Sequence, residues 1–277
     1  MLSLLLIPDL KNLTILLCTA GLACAFRKRS PRFSPPRPRF KPGRVALTIL
    51  IGKGSILLLF GLYISHRLKW SIYPSSDDML RLLLGMAPGT FSFVALSITQ
   101  VSGYLLCVFL AKFMIPVDWR ESGLVRPEIT KIQVAVLTVL GYGAISAASH
   151  LFLYIVGTPS KSYVDLVRLV LSWKSNWHLL ILFGLISPIV EEIFFRGLLC
   201  SMCHDIFGFR IGIVIQALVF GLVHGGTQDV AVLVVAGLVL GYTYLKAKSL
   251  LLPIVIHLLN NNLAFLEIFL AKNGIGP

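Results

Sequence analysis

The chain has 277 residues, of which 56% are hydrophobic and only 13% are charged. Because soluble domains carry about a quarter charged residues, this composition excludes an ordinary soluble enzyme. The net charge of +13 would suit a nucleic-acid-binding protein. The basic residues, however, lie in alternate loops between apolar stretches, and that pattern records membrane orientation. We therefore expect the lipid bilayer as a partner, and no nucleic acid.

Apolar runs long enough to cross a bilayer as helices recur along the chain. They predict an all-α fold class, a polytopic membrane protein with about eight transmembrane helices in one bundle. We divide the chain into N-terminal transmembrane helices, residues 1–131, and a core, residues 132–277. The predicted spans are residues 4–26, 45–65, 86–114, 132–157, 178–200, 211–225, 229–246 and 250–270.

The loop charges predict the orientation of this bundle. Residues 27–44 hold eight Lys or Arg, no acid and several prolines, and basic residues also occur around 111–131, 196–210 and 246–248. Cytoplasmic loops carry such an excess of positive charge, so we expect these four regions in the cytoplasm and both termini outside. We expect an integral membrane protein, in the plasma (inner) membrane if the source is bacterial.

Three ionisable residues lie inside the apolar fifth span. Each charged group near the bilayer centre costs roughly 2.5–3.5 kcal/mol, yet Glu191, Glu192 and Arg196 occur there together. Adjacent helical residues point about 100° apart, so one glutamate can face a reaction site while the other braces a neighbouring helix. Pro188 should distort the helix just before them. The pattern predicts a polar reaction site or a structural ion cluster.

Two later spans each add a histidine with a partner four residues away. Phe220 and His224 share one helical face, and so do His257 and Asn261. A carboxylate can take a proton from water, an imidazole can protonate a leaving amine, and imidazole and amide N–H groups can stabilise an oxyanion. These residue types suit hydrolysis of an amide bond. Glu191, His224 and His257 would also suit Zn²⁺ with water as the fourth ligand.

The order of the motifs, Glu-Glu-x-x-x-Arg, Phe-x-x-x-His and His-x-x-x-Asn, resembles the CAAX prenyl protease 2 family. That family is part of the CAAX protease and bacteriocin-processing (CPBP) group of intramembrane proteases. The resemblance covers about residues 178–265 and implies a membrane-embedded endopeptidase. It implies that Glu191 activates water with His224 as its partner, and that His257 and Asn261 form the oxyanion hole. It assigns supporting roles to three further residues, Glu192, Arg196 and Phe220.

The cofactor stays open at the level of sequence. The family is often labelled metalloprotease, but a metal-free mechanism with glutamate-activated water fits the same motif equally well. Residues 200–204 also fit Cys-x-x-Cys-His, the attachment signature of c-type haem. Covalent haem needs an extracytoplasmic site, whereas the loop charges predict a cytoplasmic one here, so haem is not expected. Cys200 and Cys203 are interpreted as core or interfacial residues.

The resemblance allows three substrates: the C-terminal tripeptide of a prenylated Cys-a-a-X protein, a leader peptide, or a segment of a membrane protein. Because Glu191 lies in the inner half of its predicted span, we expect the site to open towards the cytoplasm. Two alternatives explain the buried charges without proteolysis. One is a transporter with a proton relay, and the other is a non-catalytic scaffold or immunity protein of the same fold. The sequence does not specify the oligomeric state.

Overall fold

The computed structural model describes residues 13, 15–17, 43–56, 98, 100–110, 123–159, 161–172, 180–224 and 229–274. Within these ranges the regular structure is entirely helical. We number the helices α1, residues 43–56; α2, Gln100–Leu110; α3, Lys131–Val156; α4, Lys161–Ser172; α5, Leu182–His224; α6, Val230–Ala247; and α7, Leu251–Lys272. Four of them, α3, α5, α6 and α7, are long and apolar enough to cross a membrane. The predicted all-α membrane fold is confirmed, whereas the count of eight spans is not.

The predicted spans agree best with the observed helices in the second half of the chain. Helices α3, α6 and α7 match three of them to within two residues at each end. The fifth and sixth predicted spans both overlap α5, which runs for 43 residues. Most of the first three spans lies outside the described residues. The same is true of the basic loop, of which only residues 43 and 44 are described, as the start of α1.

Helix α5 folds back on itself at one glycine. Gly208 has φ 78° and ψ 177°, a conformation that breaks the helix. A Cβ added at Gly212 would lie only 2.8–2.9 Å from backbone atoms of Cys203 and His204, so the chain reverses there. We call residues 182–207 the first arm and residues 209–224 the second arm. The predicted loop between the fifth and sixth spans is therefore a kink, and the first arm continues beyond its predicted end at residue 200.

Close helix packing builds the bundle around these arms. Helix α6 lies along the second arm, where a Cβ on Gly237 would meet Ala217 Cα at 2.8 Å. The same construction at Gly141 of α3 meets Ile256 of α7 at 2.9 Å. The largest apolar cluster joins residues of α1, α2, the first arm and α6. The N-terminal helices therefore pack directly against the segment that carries the motif glutamates.

The start of α7 is fixed by an irregular segment, residues 123–130. The Glu128 amide donates to the Ala247 carbonyl at 2.9 Å, and the Leu250 amide donates to the Gly123 carbonyl at 2.7 Å. Lys248 also forms an ion pair with Glu128. These contacts anchor the turn between α6 and α7. They therefore fix the position of His257 along the axis of the bundle.

Candidate active site

The first arm is irregular where the glutamates begin. Residues Leu182–Ile186 and Ile193–Cys200 are π-helical, and Ser187–Glu192 between them is α-helical. The Ser187 amide donates to the Leu182 carbonyl, five residues back. Pro188 offers no amide hydrogen, so the regular ladder cannot continue through it. The distortion predicted before Glu191 is present, in the form of a π-helical turn, which is frequent at functional sites.

Glu191 faces His224 across the two arms of α5. Its Oε1 accepts a hydrogen bond from Ser187 Oγ at 2.5 Å, and its Oε2 lies 3.3 Å from His224 Nε2. His224 Nδ1 is 2.9 Å from the Phe220 carbonyl oxygen. Because a carbonyl can only accept, Nδ1 carries the proton, and a neutral ring keeps its lone pair on Nε2. Nε2 has no hydrogen-bond partner among the described residues.

Glu192 points the other way and joins a buried ion cluster. Its Oε1 accepts from Arg196 Nη1 at 2.9 Å and from His257 Nδ1 at 2.7 Å. Glu192 and Arg196 are both fully buried, and the guanidinium lies 4.5 Å above the centre of the Phe220 ring. The two glutamates therefore divide their roles as their helical directions predict: Glu191 faces a cavity, and Glu192 braces α7.

Asn261 contributes both to the cavity and to helix contact. Its side-chain amide donates to the Phe183 carbonyl at 2.9 Å, so one of its two amide hydrogens already has a partner. The side chain also lines the cavity beside His257. The predicted oxyanion pair, His257 and Asn261, lies on one wall, although each member also bonds to the first arm.

A cavity of about 490 Å³ connects these residues. Glu191, His224 and His257 lie along it, and most of its wall is apolar. Sequence reasoning missed the contribution of the N-terminal half. Gln100 of α2 lines the cavity, and Tyr104 stacks on Phe194 with ring centroids 4.6 Å apart. A glutamine in an apolar span was the only signal, and such residues also occur as ordinary helix contacts.

The cavity extends from Glu191 towards one end of the bundle. Most of its further lining residues lie before Glu191 on the first arm, after His257 on α7, in α4, or in α3 from Tyr142 onwards. They include Phe183, Ser187, Ala264, Phe265, Ser149, Leu153 and Tyr163. The basic residues Arg126, Arg210, Lys246 and Lys248 belong to the turns at the opposite end. Glu191 is also nearer to the start of the first arm than to its end.

The same geometry bears on the cofactors considered from sequence. The described residues contain no group of three His, Cys, Asp or Glu side chains arranged to hold a metal ion. Glu191 and His224 are adjacent, and His257 donates its Nδ1 hydrogen to Glu192, which is the contact that a metal-ligating histidine commonly makes through its second ring nitrogen. Cys200 and Cys203 are fully buried free thiols in two different apolar clusters.

Comparison with known proteins agrees with the motifs. Residues 172–263 match the family model described as type II CAAX prenyl endopeptidase Rce1-like. A Bacillus subtilis (strain 168) protein named "Putative membrane peptidase YdiL" is 26% identical over 83 residues, or 30% of this chain. The match spans about a third of that relative, 34% of its length. No solved structure gives a significant match. The resemblance read from the motifs is confirmed: this region of the chain is similar to type II CAAX prenyl endopeptidases.

Proposed function

We propose that the protein is an intramembrane endopeptidase that hydrolyses a peptide bond with water activated by Glu191 and His224. The observation that carries the proposal is the 3.3 Å approach of Glu191 Oε2 to His224 Nε2 on the wall of a cavity. The match to a type II CAAX endopeptidase model over residues 172–263 supports it. Neither a transporter nor a silent scaffold gains a comparable observation.

The first chemical step uses both groups on one water molecule. The Glu191 carboxylate and the His224 Nε2 lone pair both accept, so one water can donate an O–H bond to each. Its oxygen then attacks the scissile carbonyl carbon, and its proton passes to this pair. The C–N bond breaks as the leaving amine receives that proton from His224. A new carboxyl terminus and a new amino terminus result.

The oxyanion of the tetrahedral intermediate would be held from α7. His257 donates its Nδ1 hydrogen to Glu192, so its Nε2 can donate to an oxyanion only when the ring is an imidazolium. Asn261 has a second amide hydrogen beyond the one bound to Phe183. Together the two side chains would supply the pair of donors that acyl transfer requires.

The substrate we propose is an apolar or lipid-linked peptide. The wall of the cavity is mostly apolar, and the cavity sits among helices that can span a membrane. A prenylated Cys-a-a-X peptide has both properties, because its prenyl chain can stay in an apolar environment while the peptide reaches Glu191. A leader peptide or a membrane-protein segment would meet the same requirement.

We place the cavity mouth on the extracytoplasmic face. The cavity extends towards the end of the bundle opposite to Arg126, Arg210, Lys246 and Lys248, and an excess of basic residues marks cytoplasmic loops. The cytoplasmic opening expected from sequence rested on a first arm that ended at residue 200. With that arm extended to residue 207, Glu191 no longer lies in its inner half.

The test is cleavage of quenched fluorescent peptides by the purified full-length protein. The panel contains a farnesylated Cys-a-a-X peptide, its unmodified form and an apolar leader-type peptide. We expect cleavage of at least one peptide, loss of cleavage in Glu191→Gln, and normal cleavage in the control Asp205→Asn, whose side chain does not line the cavity. Excess chelator distinguishes the two mechanisms, because activity persists with metal-free activation of water and is lost when Zn²⁺ is required. Failure of folded wild-type protein to cleave any peptide would contradict the proposal.

A further inference from the structure

Two backbone carbonyls lose their regular partners just before the catalytic glutamate. In an α-helix the amide of residue 188 would donate to the Gly184 carbonyl, but Pro188 has no amide hydrogen. The Ser187 amide would donate to the Phe183 carbonyl, but it bonds to Leu182 instead. Buried carbonyls without partners are costly in a membrane, so they must be satisfied from elsewhere.

Consecutive asparagines of α7 supply the missing donors. The Asn261 side-chain amide donates to the Phe183 carbonyl at 2.9 Å, and that of Asn262 donates to the Gly184 carbonyl at 2.8 Å. The Asn262 amide also donates to the Leu258 carbonyl of its own helix at 2.8 Å, so both of its hydrogens are engaged. Asn262 thus links the backbone of α7 to the backbone of the first arm.

The hydrogen bond between Asn262 and the first arm requires glycine at position 184. A Cβ on Gly184 would lie 2.6 Å from Asn262 Oδ1, well inside contact distance. Glycine therefore leaves the room in which the amide reaches the backbone. Ser187, which donates to Glu191 Oε1, lies only three residues after Gly184. The position of Glu191 along the helix axis and the direction of its side chain therefore depend on the hydrogen bonds of this turn.

We infer that Asn262 is a positioning residue for the reaction, which maintains the π-helical turn of the first arm and so sets Glu191 against His224. The inference rests on the proposed function and deepens it. Asn262 touches no reacting group in this account. It acts through Gly184, Pro188 and Ser187, and the Asn262–Gly184 hydrogen bond lies on the same α5–α7 interface as the His257–Glu192 contact.

The experiment is a mutant cycle between Asn262 and Pro188 in the purified full-length protein. Asn262→Asp keeps the shape but removes both donated hydrogens, so we expect kcat to fall at least about tenfold while KM stays near the wild-type value. Pro188→Ala restores a backbone amide that can donate to Gly184. In the Pro188→Ala background, Asn262→Asp should lower kcat by less than about threefold, because the Gly184 carbonyl no longer depends on the Asn262 side chain.

Asn273 provides the matched control. Its side-chain amide donates to the Phe269 carbonyl four residues back, as Asn262 does to Leu258, and the Asn273 side chain is exposed at the end of α7. Asn273→Asp should leave kcat unchanged. An equal loss from Asn262→Asp in both backgrounds, or no loss in either, would overturn the inference.

A second readout separates this inference from the proposed function. The same four proteins are compared by thermal unfolding, where the penalty of Asn262→Asp should shrink in the Pro188→Ala background. If no variant and no wild-type protein cleaves any peptide, the proposed function fails and the positioning role fails with it. If the wild type cleaves but neither kcat nor unfolding shows coupling between the two positions, the positioning role alone is overturned.

Discussion

At the scale of single residues, the most consequential contact is the fully buried pair of Glu192 and Arg196. Burying two charges is favourable only when they are paired and hydrogen-bonded, and here His257 adds a third member. The cluster joins the first arm to α7 and stacks on Phe220 of the second arm. It therefore fixes the relative positions of the segments that carry the candidate catalytic groups.

We predict that Arg196→Met destabilises the protein by about 3–5 kcal/mol, because it leaves the Glu192 carboxylate buried without its cation. The double variant Glu192→Gln/Arg196→Met should recover most of that loss, since no unpaired charge remains. It should still cleave poorly, because His257 loses its carboxylate partner. Thermal unfolding in detergent and peptide cleavage measure the two effects. An Arg196→Met variant as stable as the wild type would contradict the structural role of the Glu192–Arg196 pair.

At the scale of elements, the contact between α6 and the second arm depends on glycine. A Cβ on Gly237 would meet the backbone and Cβ of Ala217 at 2.8–3.1 Å, so one helix would have to move. Gly143 of α3 offers a comparison, because a Cβ there meets nothing within 4 Å. The two glycines are in membrane-spanning helices and differ mainly in this clearance.

We therefore predict opposite effects from two alanine substitutions. Gly237→Ala should destabilise the protein by about 1–3 kcal/mol through overpacking. Gly143→Ala should be neutral or stabilising by up to about 1 kcal/mol, since alanine is the better helix former. Thermal unfolding of the two variants beside the wild type measures the difference. Equal midpoints for both would show that the close approach at Gly237 does not occur.

Much of this element-level organisation is readable from sequence, because apolar runs and residue spacing carry it. The spans at α3, α6 and α7 follow from the apolar runs, and the different directions of Glu191 and Glu192 follow from helical periodicity. The reversal at Gly208 does not, since its position depends on one positive φ value rather than on composition. The contacts of Asn261 and Asn262 with the first arm also depend on how two distant segments pack, which spacing within one helix does not determine.

At the scale of the whole molecule, the proposed orientation in the membrane rests on charge and on the direction of the cavity. The turns that carry Arg210, Lys246 and Lys248 meet at one end, and the cavity extends to the other. Substrate would then enter from the face opposite to the basic loops. Helix α4 contributes Tyr163 and Leu166 to the cavity wall.

We predict that Thr158→Cys, exposed after α3, is labelled by a membrane-impermeant thiol reagent on intact cells. Lys246→Cys, exposed at the other end, should be labelled only after permeabilisation. Both variants are made in a background without the native cysteines. The reverse pattern would show that the mouth faces the cytoplasm, as the sequence alone predicted, and would leave the chemistry of the site unaffected.

The central claim is that Glu191 and His224 act together on one water molecule, and a kinetic cycle tests it most directly. Cleavage rates are measured for wild type, Glu191→Gln, His224→Ala and the double variant, with His204→Ala, a partly buried histidine that does not line the cavity, as a control. We predict that each single variant lowers kcat at least about a hundredfold and that the double variant is no slower than the slower single one. Losses that multiply in the double variant, or a single variant with the wild-type rate, would contradict the claim.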